Sequence, residues 1–463
     1  MPALLATVLG LWGLTRQSSM WRDESVTYQV AHRPLGELLA LLGHIDAVHG
    51  LYYLLMHAVF ALWDGGLVAL RLPSVLATAL AAAGVGALGN RFAGPRTGVL
   101  AGALFALFPA TQQYAQEGRS YALVTAGVVW ASYLFLRGLG STTRGWWVGY
   151  GVLLAVVCWV HEFAALVLCA HAVTLRLLGV RWRRWGVAAG GVLVAVAPLA
   201  VVSARQAEQQ LGWLGRPSVA MWLAFLAVSA LGLLLSRIPP LADRTVTAVA
   251  LPLLIVPPGL LITGSLLKPW YVDRYVLYAL AGLALLGGLA LARLPAHLGK
   301  AAVCLLALAL LPASLAVRTP ESRKDDVVAV AQTVRKLSHP GDGILFLPSR
   351  RREWLMSYPT LYAHLNDLAL ARSPAAFHTL QGTELPPAEI RTHLLSTSRL
   401  LALTDPDGQP LDPFPQESVK RRTLREHFEE CERVRVWGGQ VVVYVRKPDR
   451  GSGVVRGGGC RGG

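Results

Sequence analysis

The chain has 463 residues, of which 54% are hydrophobic, and its mean hydropathy is +0.46. This excess of apolar residues excludes an ordinary water-soluble protein. The formal net charge of +16 does not indicate a nucleic-acid-binding protein, because the basic residues form short clusters between apolar blocks rather than one stripe. The composition therefore predicts a polytopic membrane protein embedded in a lipid bilayer.

The apolar residues are gathered into blocks of the length that crosses a bilayer core, roughly 17 to 25 residues. The first block, 2–14, is short for a span. The apolar stretch 50–63 is also short, so we expect it to lie on the membrane or to re-enter it. The remaining predicted spans are 68–89, 97–115, 120–136, 146–160, 163–179, 186–203, 219–236, 245–267, 275–292 and 301–317.

Lysine and arginine accumulate in cytoplasmic loops. The basic loops occur at every second connection and are 90–96, 137–144, 176–184, 237–244 and 293–300. Placing them inside predicts about eleven crossings in a plasma membrane, a first outer loop 16–67 and an extracytoplasmic C-terminus. The polar residues that reach the outer face, where they could share one site, are Asp23, Glu24, Asp46, His49, Glu117, Arg119, His161, Glu162, Lys268, Asp273 and Arg274.

A change in composition near residue 318 divides the chain into a transmembrane domain, 1–317, and a soluble domain, 318–450. Apolar residues have helical spacing in 327–337. The predicted strands are 343–348, 400–403 and 440–446, the last with Val441, Val443 and Val445 on one face. This pattern predicts a small α/β domain, and the glycine-rich tail, 451–463, is expected to be disordered.

The first polar motif, Trp21-Arg22-Asp23-Glu24-Ser25, follows the first predicted span. Adjacent carboxylates beside a membrane helix can supply a general base. The alternative interpretation is an ordinary solvated loop. Asp23 and Glu24 are therefore the candidate catalytic residues.

Two later motifs combine cations with aromatic side chains, Tyr-Ala-Gln-Glu-Gly-Arg-Ser-Tyr at 114–121 and Lys-Pro-Trp-Tyr-Val-Asp-Arg-Tyr at 268–275. Such cations suit a lipid phosphate or pyrophosphate. The alternatives are a snorkelling anchor for the first motif and an aromatic belt for the second. The candidate phosphate-binding residues are Arg119, Arg274, Lys268 and Tyr275, and Glu117 and Tyr121 are secondary candidates.

The pair His161-Glu162 interrupts apolar sequence at a predicted outer end of two spans. It is a secondary candidate, and its alternative role is to mark a turn between short spans. Asp46 is another secondary candidate. The histidine spacing builds no metal site by itself.

The order of these motifs, with Leu70-Arg71-Leu72-Pro73-Ser74 between the first two, resembles the GT-C type membrane glycosyltransferases of family 39. That family contains protein O-mannosyltransferases and the lipid A aminoarabinose transferase, and the likeness covers roughly residues 1–317. The resemblance implies inverting transfer of a sugar, here expected to be mannose, from a polyprenyl-phosphate donor to an extracytoplasmic acceptor. It implies that Asp23 activates the acceptor and that Arg119 and Arg274 hold the donor phosphate.

The acceptor class is open among a protein, a glycolipid and a cell-wall polymer. Metal dependence is open as well, since a divalent ion such as Mg or Mn could bridge Asp23 or Asp46 to the donor phosphate. The rival functions are a ligase for pyrophosphate-linked glycans, a membrane transporter and a non-catalytic scaffold. A transporter is disfavoured because the charged residues gather at one predicted face rather than at the midplane.

Overall fold

The computed structural model describes residues 1–211, 215–237, 244–409 and 412–448. The chain forms two compact units. The membrane unit comprises Met1–Leu14 and Ile45–Arg318, and the C-terminal unit comprises Thr15–His44 and the described residues from Thr319 onward. The segment predicted as the first outer loop is thus divided between the two units, and the predicted tail lies outside the described residues.

The membrane unit is helical. Its described α-helices are Pro2–Leu11, Gly50–Leu62, Gly66–Ala93, Pro95–Leu107, Pro109–Ala115, Tyr121–Leu139, Gly145–Val160, Leu166–Leu178, Arg183–Leu211, Val219–Ser236, Arg244–Gly264, Leu280–Leu291 and Ala296–Ala316. Short 3-10 segments occupy Ala47–His49, Glu162–Ala165 and Asp273–Ala279.

Within the described residues, seven helical segments are long and apolar enough to cross a membrane. They are Gly66–Ala93, Tyr121–Leu139, Arg183–Ala207, Val219–Ser236, Arg244–Gly264, Asp273–Leu291 and Ala296–Ala316. The other predicted spans, 2–14, 97–115, 146–160 and 163–179, coincide with shorter helices. The protein is therefore a multi-pass membrane protein, while the count of eleven crossings stays a prediction.

One predicted span is broken by a proline. Segment 97–115 forms two helices that meet at Phe108, whose backbone is extended with φ −62° and ψ 127°. Proline disfavours the helical conformation in the residue before it, so Pro109 ends the first helix and begins the second.

The C-terminal unit combines helices with two sheets. Its described helices are Arg22–Ala31, Leu35–Leu42, Val327–Leu337, Pro359–Tyr362, Pro387–Leu395 and Pro415–His427. The larger sheet has the strand order Asn366–Asp367, Gly343–Leu347, Arg399–Thr404, Gly439–Arg446 and Phe428–Val436. The first three strands are parallel, and the last two pair antiparallel. Leu370–Arg372 and Thr383–Glu384 form a two-stranded antiparallel sheet.

The expected α/β elements are confirmed. The carboxylate of Asp326 caps the helix Val327–Leu337 by accepting hydrogen bonds from the N–H groups of Val328 and Ala329. All five residues of Gly343–Leu347 are buried, as expected of a central strand. The fold class is therefore that predicted, a mostly helical membrane protein with a C-terminal α/β unit.

Candidate functional site

A buried polar cluster in the membrane unit contains Asp46, His49, Tyr53, Arg119 and His161, each less than a tenth exposed. Asp46 has a left-handed backbone with φ 64°, a conformation that aspartate tolerates better than most residues. Its carbonyl accepts the N–H of His49 at 3.0 Å. His49 and Tyr53 then lie four residues apart at the start of the helix Gly50–Leu62, so both side chains lie on one helical face.

Four of these side chains, Asp46, Tyr53, Arg119 and His49, form a continuous chain of hydrogen bonds. Tyr53 Oη donates to the carboxylate of Asp46. Arg119 Nη1 donates to Tyr53 Oη at 3.3 Å, and its Nη2 lies 2.6 Å from His49 Nε2. Because a guanidinium can only donate, Nε2 of His49 accepts, and the ring is a neutral imidazole with its proton on Nδ1. The cluster thus fixes both the orientation of Arg119 and the tautomer of His49.

The backbone around Arg119 is held against the helix Gly66–Ala93. Ser74 Oγ donates to the carbonyl of Glu117 at 2.6 Å and lies 3.3 Å from the carbonyl of Arg119. A Cβ atom at Gly118 would overlap Cγ of Leu70, so the close approach requires glycine. The sequence Glu117-Gly118-Arg119 therefore places the guanidinium through packing rather than through a regular helix.

A second arginine lies beside aromatic rings. Arg274 Nε donates to Tyr121 Oη at 3.1 Å, and its backbone N–H donates to Asp273 at 2.8 Å. Its guanidinium carbon is 5.5 Å from the ring centre of Tyr121 and 5.7 Å from that of Tyr275. Aromatic faces of this kind attract a cation and orient it.

Ring contacts through His161 connect the two arginines. The His161 ring lies 4.7 Å from Tyr275 and 5.5 Å from His49. Arg119 and Arg274 both exert their charge on His161. The structure therefore gathers Asp46, Arg119, Tyr121, His161, Arg274 and Tyr275 of the sequence candidates in one region of the membrane unit.

The remaining candidates of the membrane unit have other environments. Glu117 is buried. Glu162 accepts a hydrogen bond from Ser203 Oγ at 2.9 Å. Lys268 is exposed, and its ammonium group lies 5.4 Å from the ring centre of Trp270. This contact is the one expected of an aromatic belt.

The candidate carboxylates Asp23 and Glu24 belong to the C-terminal unit, in the first turn of the helix Arg22–Ala31. A helix N-terminus favours negative charge. Glu24 is fully buried and Asp23 is partly exposed, so Asp23 is the more accessible of the two.

The start of this helix is anchored inside the same unit. The backbone N–H of Arg22 donates to Asp325 at 2.7 Å, and its Nε donates to Glu353 at 3.0 Å. Ser25 Oγ lies 2.6 Å from Ser357 Oγ. The charge of Glu353 raises the pKa of Arg22, whereas desolvation raises the pKa of Asp325 to about 6. Arg22 therefore stays a cation.

Within residues 1–211, 215–237, 244–409 and 412–448, no group of three or more His, Cys, Asp or Glu side chains is placed to hold a metal ion. The dependence on Mg or Mn stays open. Sequence reasoning missed Tyr53 and rejected His49 as part of a metal site. The four-residue spacing of His49 and Tyr53 is compatible with one helical face, but such spacing is common in apolar helices and does not distinguish Tyr53.

Comparisons with known proteins agree with this architecture. Residues 50–205 match the family described as dolichyl-phosphate-mannose-protein mannosyltransferase. The matched range contains Arg119, Tyr121 and His161, while Asp23 and Arg274 lie outside it. No curated protein sequence matches the chain.

The fold is similar to that of ArnT from Cupriavidus metallidurans in the apo state, with a TM-score of 0.60 and 13% identity over 96% of this chain and 97% of that chain. The same protein bound to undecaprenyl phosphate has a TM-score of 0.55 with the same identity and coverage. The apo oligosaccharyltransferase of Archaeoglobus fulgidus has a TM-score of 0.51 and 12% identity over 87% of this chain and 68% of that chain. The resemblance to GT-C type glycosyltransferases is confirmed, and the chain has their fold.

Proposed function

We propose that the chain is an inverting glycosyltransferase that transfers mannose from a polyprenyl-phosphate donor to an extracytoplasmic acceptor at the plasma membrane. The observation that carries the proposal is the gathering of Arg119 and Arg274 beside His49, His161 and Tyr275 in a chain with a GT-C fold. Arg119 is buried and Arg274 is partly buried. Ionisable residues in the membrane unit of a protein are candidates for a functional site.

The two arginines are the proposed ligands of the donor phosphate. A guanidinium can donate two parallel hydrogen bonds to phosphate oxygens, and its charge does not depend on pH in the physiological range. Arg119 is held in advance by Tyr53 and His49. Pre-organised donors stabilise a leaving group whose negative charge grows in the transition state. The structure of ArnT bound to undecaprenyl phosphate supports this class of donor.

Asp23 is the proposed general base. In the reaction, an acceptor hydroxyl oxygen bonds to the anomeric carbon of the sugar while the bond from that carbon to the phosphate oxygen breaks. The hydroxyl proton moves to the carboxylate of Asp23, and polyprenyl phosphate leaves with the bonding electrons. A sugar or Ser/Thr hydroxyl is a weak nucleophile near neutral pH, so a positioned base accelerates its attack.

Mannose as the donor sugar is supported by the description of the family that matches residues 50–205. The acceptor is proposed to carry a hydroxyl group on a protein, a glycolipid or a cell-wall polymer. Glu24 is proposed to support Asp23 from its buried position. Tyr275 and Tyr121 are proposed to hold Arg274 toward the phosphate.

The test measures transfer of radiolabelled mannose from synthetic polyprenyl-phosphate mannose to an extract of native membranes. Purified wild type is compared with Asp23→Asn and with Asp64→Asn, a control at an exposed aspartate. We expect Asp23→Asn to lower the rate at least about a hundredfold, roughly 2.7 kcal/mol of barrier, and Asp64→Asn to leave it unchanged.

The rival functions give different outcomes. Transfer from diphosphate donors alone would identify a glycan ligase. Uptake of substrate into sealed vesicles without transfer would identify a transporter. Normal cellular function of Asp23→Asn would indicate a scaffold, because a scaffold does not need the proposed base.

A further inference from the structure

Four basic loops connect helices of the membrane unit and carry a strongly positive charge. The loops 90–96, 137–144, 176–184 and 293–300 contain arginine and lysine but no aspartate or glutamate. The positive-inside rule accounts for the sign of this charge. It does not account for arginines of different helices that line the same cavity.

Such a cavity of about 210 Å³ lies where the helices Gly66–Ala93 and Tyr121–Leu139 end. Arg91, Arg137, Ser141 and Trp146 are among its lining residues. No carboxylate lines it. A cavity with two cations, a hydroxyl group and an indole ring at the end of membrane helices suits an anion at the depth of lipid headgroups.

Arg137 is held in place at this cavity. Its guanidinium carbon lies 4.5 Å from the ring centre of Trp146, and Nη1 lies 3.4 Å from Tyr133 Oη. Among the described residues, neither Arg137 nor Arg91 forms an ion pair with a carboxylate. Both charges are therefore available to a ligand from outside the chain.

The adjoining loop is fixed as well. Arg184 Nη1 donates to the carbonyl of Ser141 at 3.1 Å and lies 3.3 Å from the carbonyl of Thr142. The loop that carries Ser141 thus has a defined position between two helices, and hydrogen bonds hold this part of the cavity wall in place.

We propose that this cavity binds the phosphate group of an anionic phospholipid. Arg91 and Arg137 neutralise the phosphate, and the Trp146 ring keeps the Arg137 guanidinium in position and lies along the lipid. A phospholipid is favoured over a soluble phosphate because the cavity is formed by the ends of membrane helices, where headgroups are at high local concentration. This inference does not depend on the proposed glycosyltransferase activity.

The test uses the purified full chain in a neutral detergent and measures lipid binding by native mass spectrometry. The added lipid is phosphatidylglycerol, with phosphatidylcholine as the zwitterionic reference. The double variant Arg91→Gln/Arg137→Gln is compared with Arg144→Gln/Arg176→Gln, which removes the same charge at exposed positions outside the cavity lining.

We expect phosphatidylglycerol to bind the wild type in preference to phosphatidylcholine. The cavity double variant should lose about thirtyfold in affinity, and the control double variant less than about threefold. Equal losses in both double variants would overturn the proposal, because they would show diffuse attraction to the whole surface. Competition by inorganic phosphate at millimolar concentration would overturn the assignment to a lipid.

Folding of each variant is checked by its thermal unfolding temperature in the same detergent. If the cavity double variant does not fold, the single variant Arg91→Gln is measured instead, because Arg91 is exposed. A loss of at least about threefold in phosphatidylglycerol affinity supports the proposal, and an unchanged affinity contradicts it.

Discussion

Arg22 and Glu353 lie 331 positions apart in the sequence and form an ion pair at 3.0 Å between Nε and Oε2. The side chain of Glu353 is buried. Arg22 directly precedes Asp23, and its backbone N–H is bound by Asp325. The C-terminal sequence therefore provides the contacts that fix the helical turn carrying the proposed base.

We predict that Glu353→Gln lowers kcat of mannose transfer about tenfold while KM for the donor changes little. The amide keeps the side-chain volume but loses the charge that holds Arg22, so the carboxylate of Asp23 is less well oriented when the acceptor is attacked. Steady-state kinetics with varied donor concentration separates the two constants. The matched control is Glu430→Gln, which removes the exposed partner of Arg433 and should have no effect on either constant. An equal loss in both variants would contradict a positioning role.

The sequence predicted the regular elements well, for reasons visible in particular residues. The helix Val327–Leu337 has the predicted limits because its apolar residues have helical spacing and Asp326 caps its first turn. Strand Gly439–Arg446 was recognised from its run of valines. Strand Phe428–Val436 was missed because it is an edge strand, exposed at most positions and rich in charge, a composition that also fits a loop.

The candidate site was predicted less completely. The sequence motifs pointed to Arg119 and Arg274 as candidates, since a cation beside a membrane helix stands out in apolar sequence. Tyr53 was missed because a tyrosine in an apolar helix has no distinguishing pattern. Its role depends on the left-handed turn at Asp46 and on a residue 66 positions later, and neither can be derived from local spacing.

A second prediction concerns the planar group of Arg119. The two terminal nitrogens of Arg119 bind Tyr53 and His49. Lysine at this position keeps a positive charge, but its single ammonium nitrogen cannot reproduce both contacts and also bind a phosphate. We expect Arg119→Lys to raise KM for polyprenyl-phosphate mannose at least about tenfold. The control Arg144→Lys changes an exposed arginine in the same way and should leave KM unchanged. If Arg119→Lys has the same KM for the donor as the wild type, Arg119 does not bind the donor phosphate.

A third prediction concerns pH. The pKa of Asp325 is raised by desolvation from its usual value of 3.8 to about 6. The folded state therefore binds a proton more tightly than the unfolded state, and this stabilisation is present below about pH 4 and is lost as pH rises through about 6.

Asp325→Asn keeps the oxygen that accepts the N–H of Arg22 but cannot ionise. We expect the difference in unfolding temperature, variant minus wild type, to increase as the pH is raised from 4.5 to 7. It is measured by thermal unfolding in detergent. A difference that stays constant over this range would show that Asp325 does not titrate there. Asp412→Asn serves as a control at a carboxylate paired with Arg350.

A fourth prediction concerns Lys420, a fully buried cation of the C-terminal unit. Its ammonium group binds the carbonyl of Phe346 at 2.7 Å, Glu384 at 3.1 Å and the carboxylate of Glu417. Removing one partner of a buried ion pair leaves an uncompensated charge. We expect Lys420→Met to lower the free energy of unfolding of this unit by about 3 to 5 kcal/mol.

The measurement is the denaturant dependence of the fluorescence of the full chain, with Lys336→Met as the control at an exposed lysine. The variant Lys420→Met/Glu417→Gln/Glu384→Gln should recover part of the loss, because it also removes both buried carboxylates. A single variant as stable as wild type would show that the network contributes no net stability.

A fifth prediction tests whether packing positions Arg119. A methyl group at Gly118 would overlap Leu70, so Gly118→Ala should shift the adjacent guanidinium and lower the transfer rate roughly tenfold or more. Gly149→Ala is the matched control, because its new Cβ would make an ordinary contact of 3.7 Å with Leu134.

The double variant Gly118→Ala/Leu70→Ala supplies the missing space, and we expect it to recover activity when the rate is expressed per folded molecule. That normalisation is needed because removing a buried leucine side chain itself costs about 2 to 5 kcal/mol of stability. Recovery would show that steric overlap, rather than loss of glycine flexibility, displaces Arg119. If Leu70→Ala alone is fully active and the double variant stays inactive, the backbone conformation at Gly118 is what the site requires, and the steric explanation is wrong.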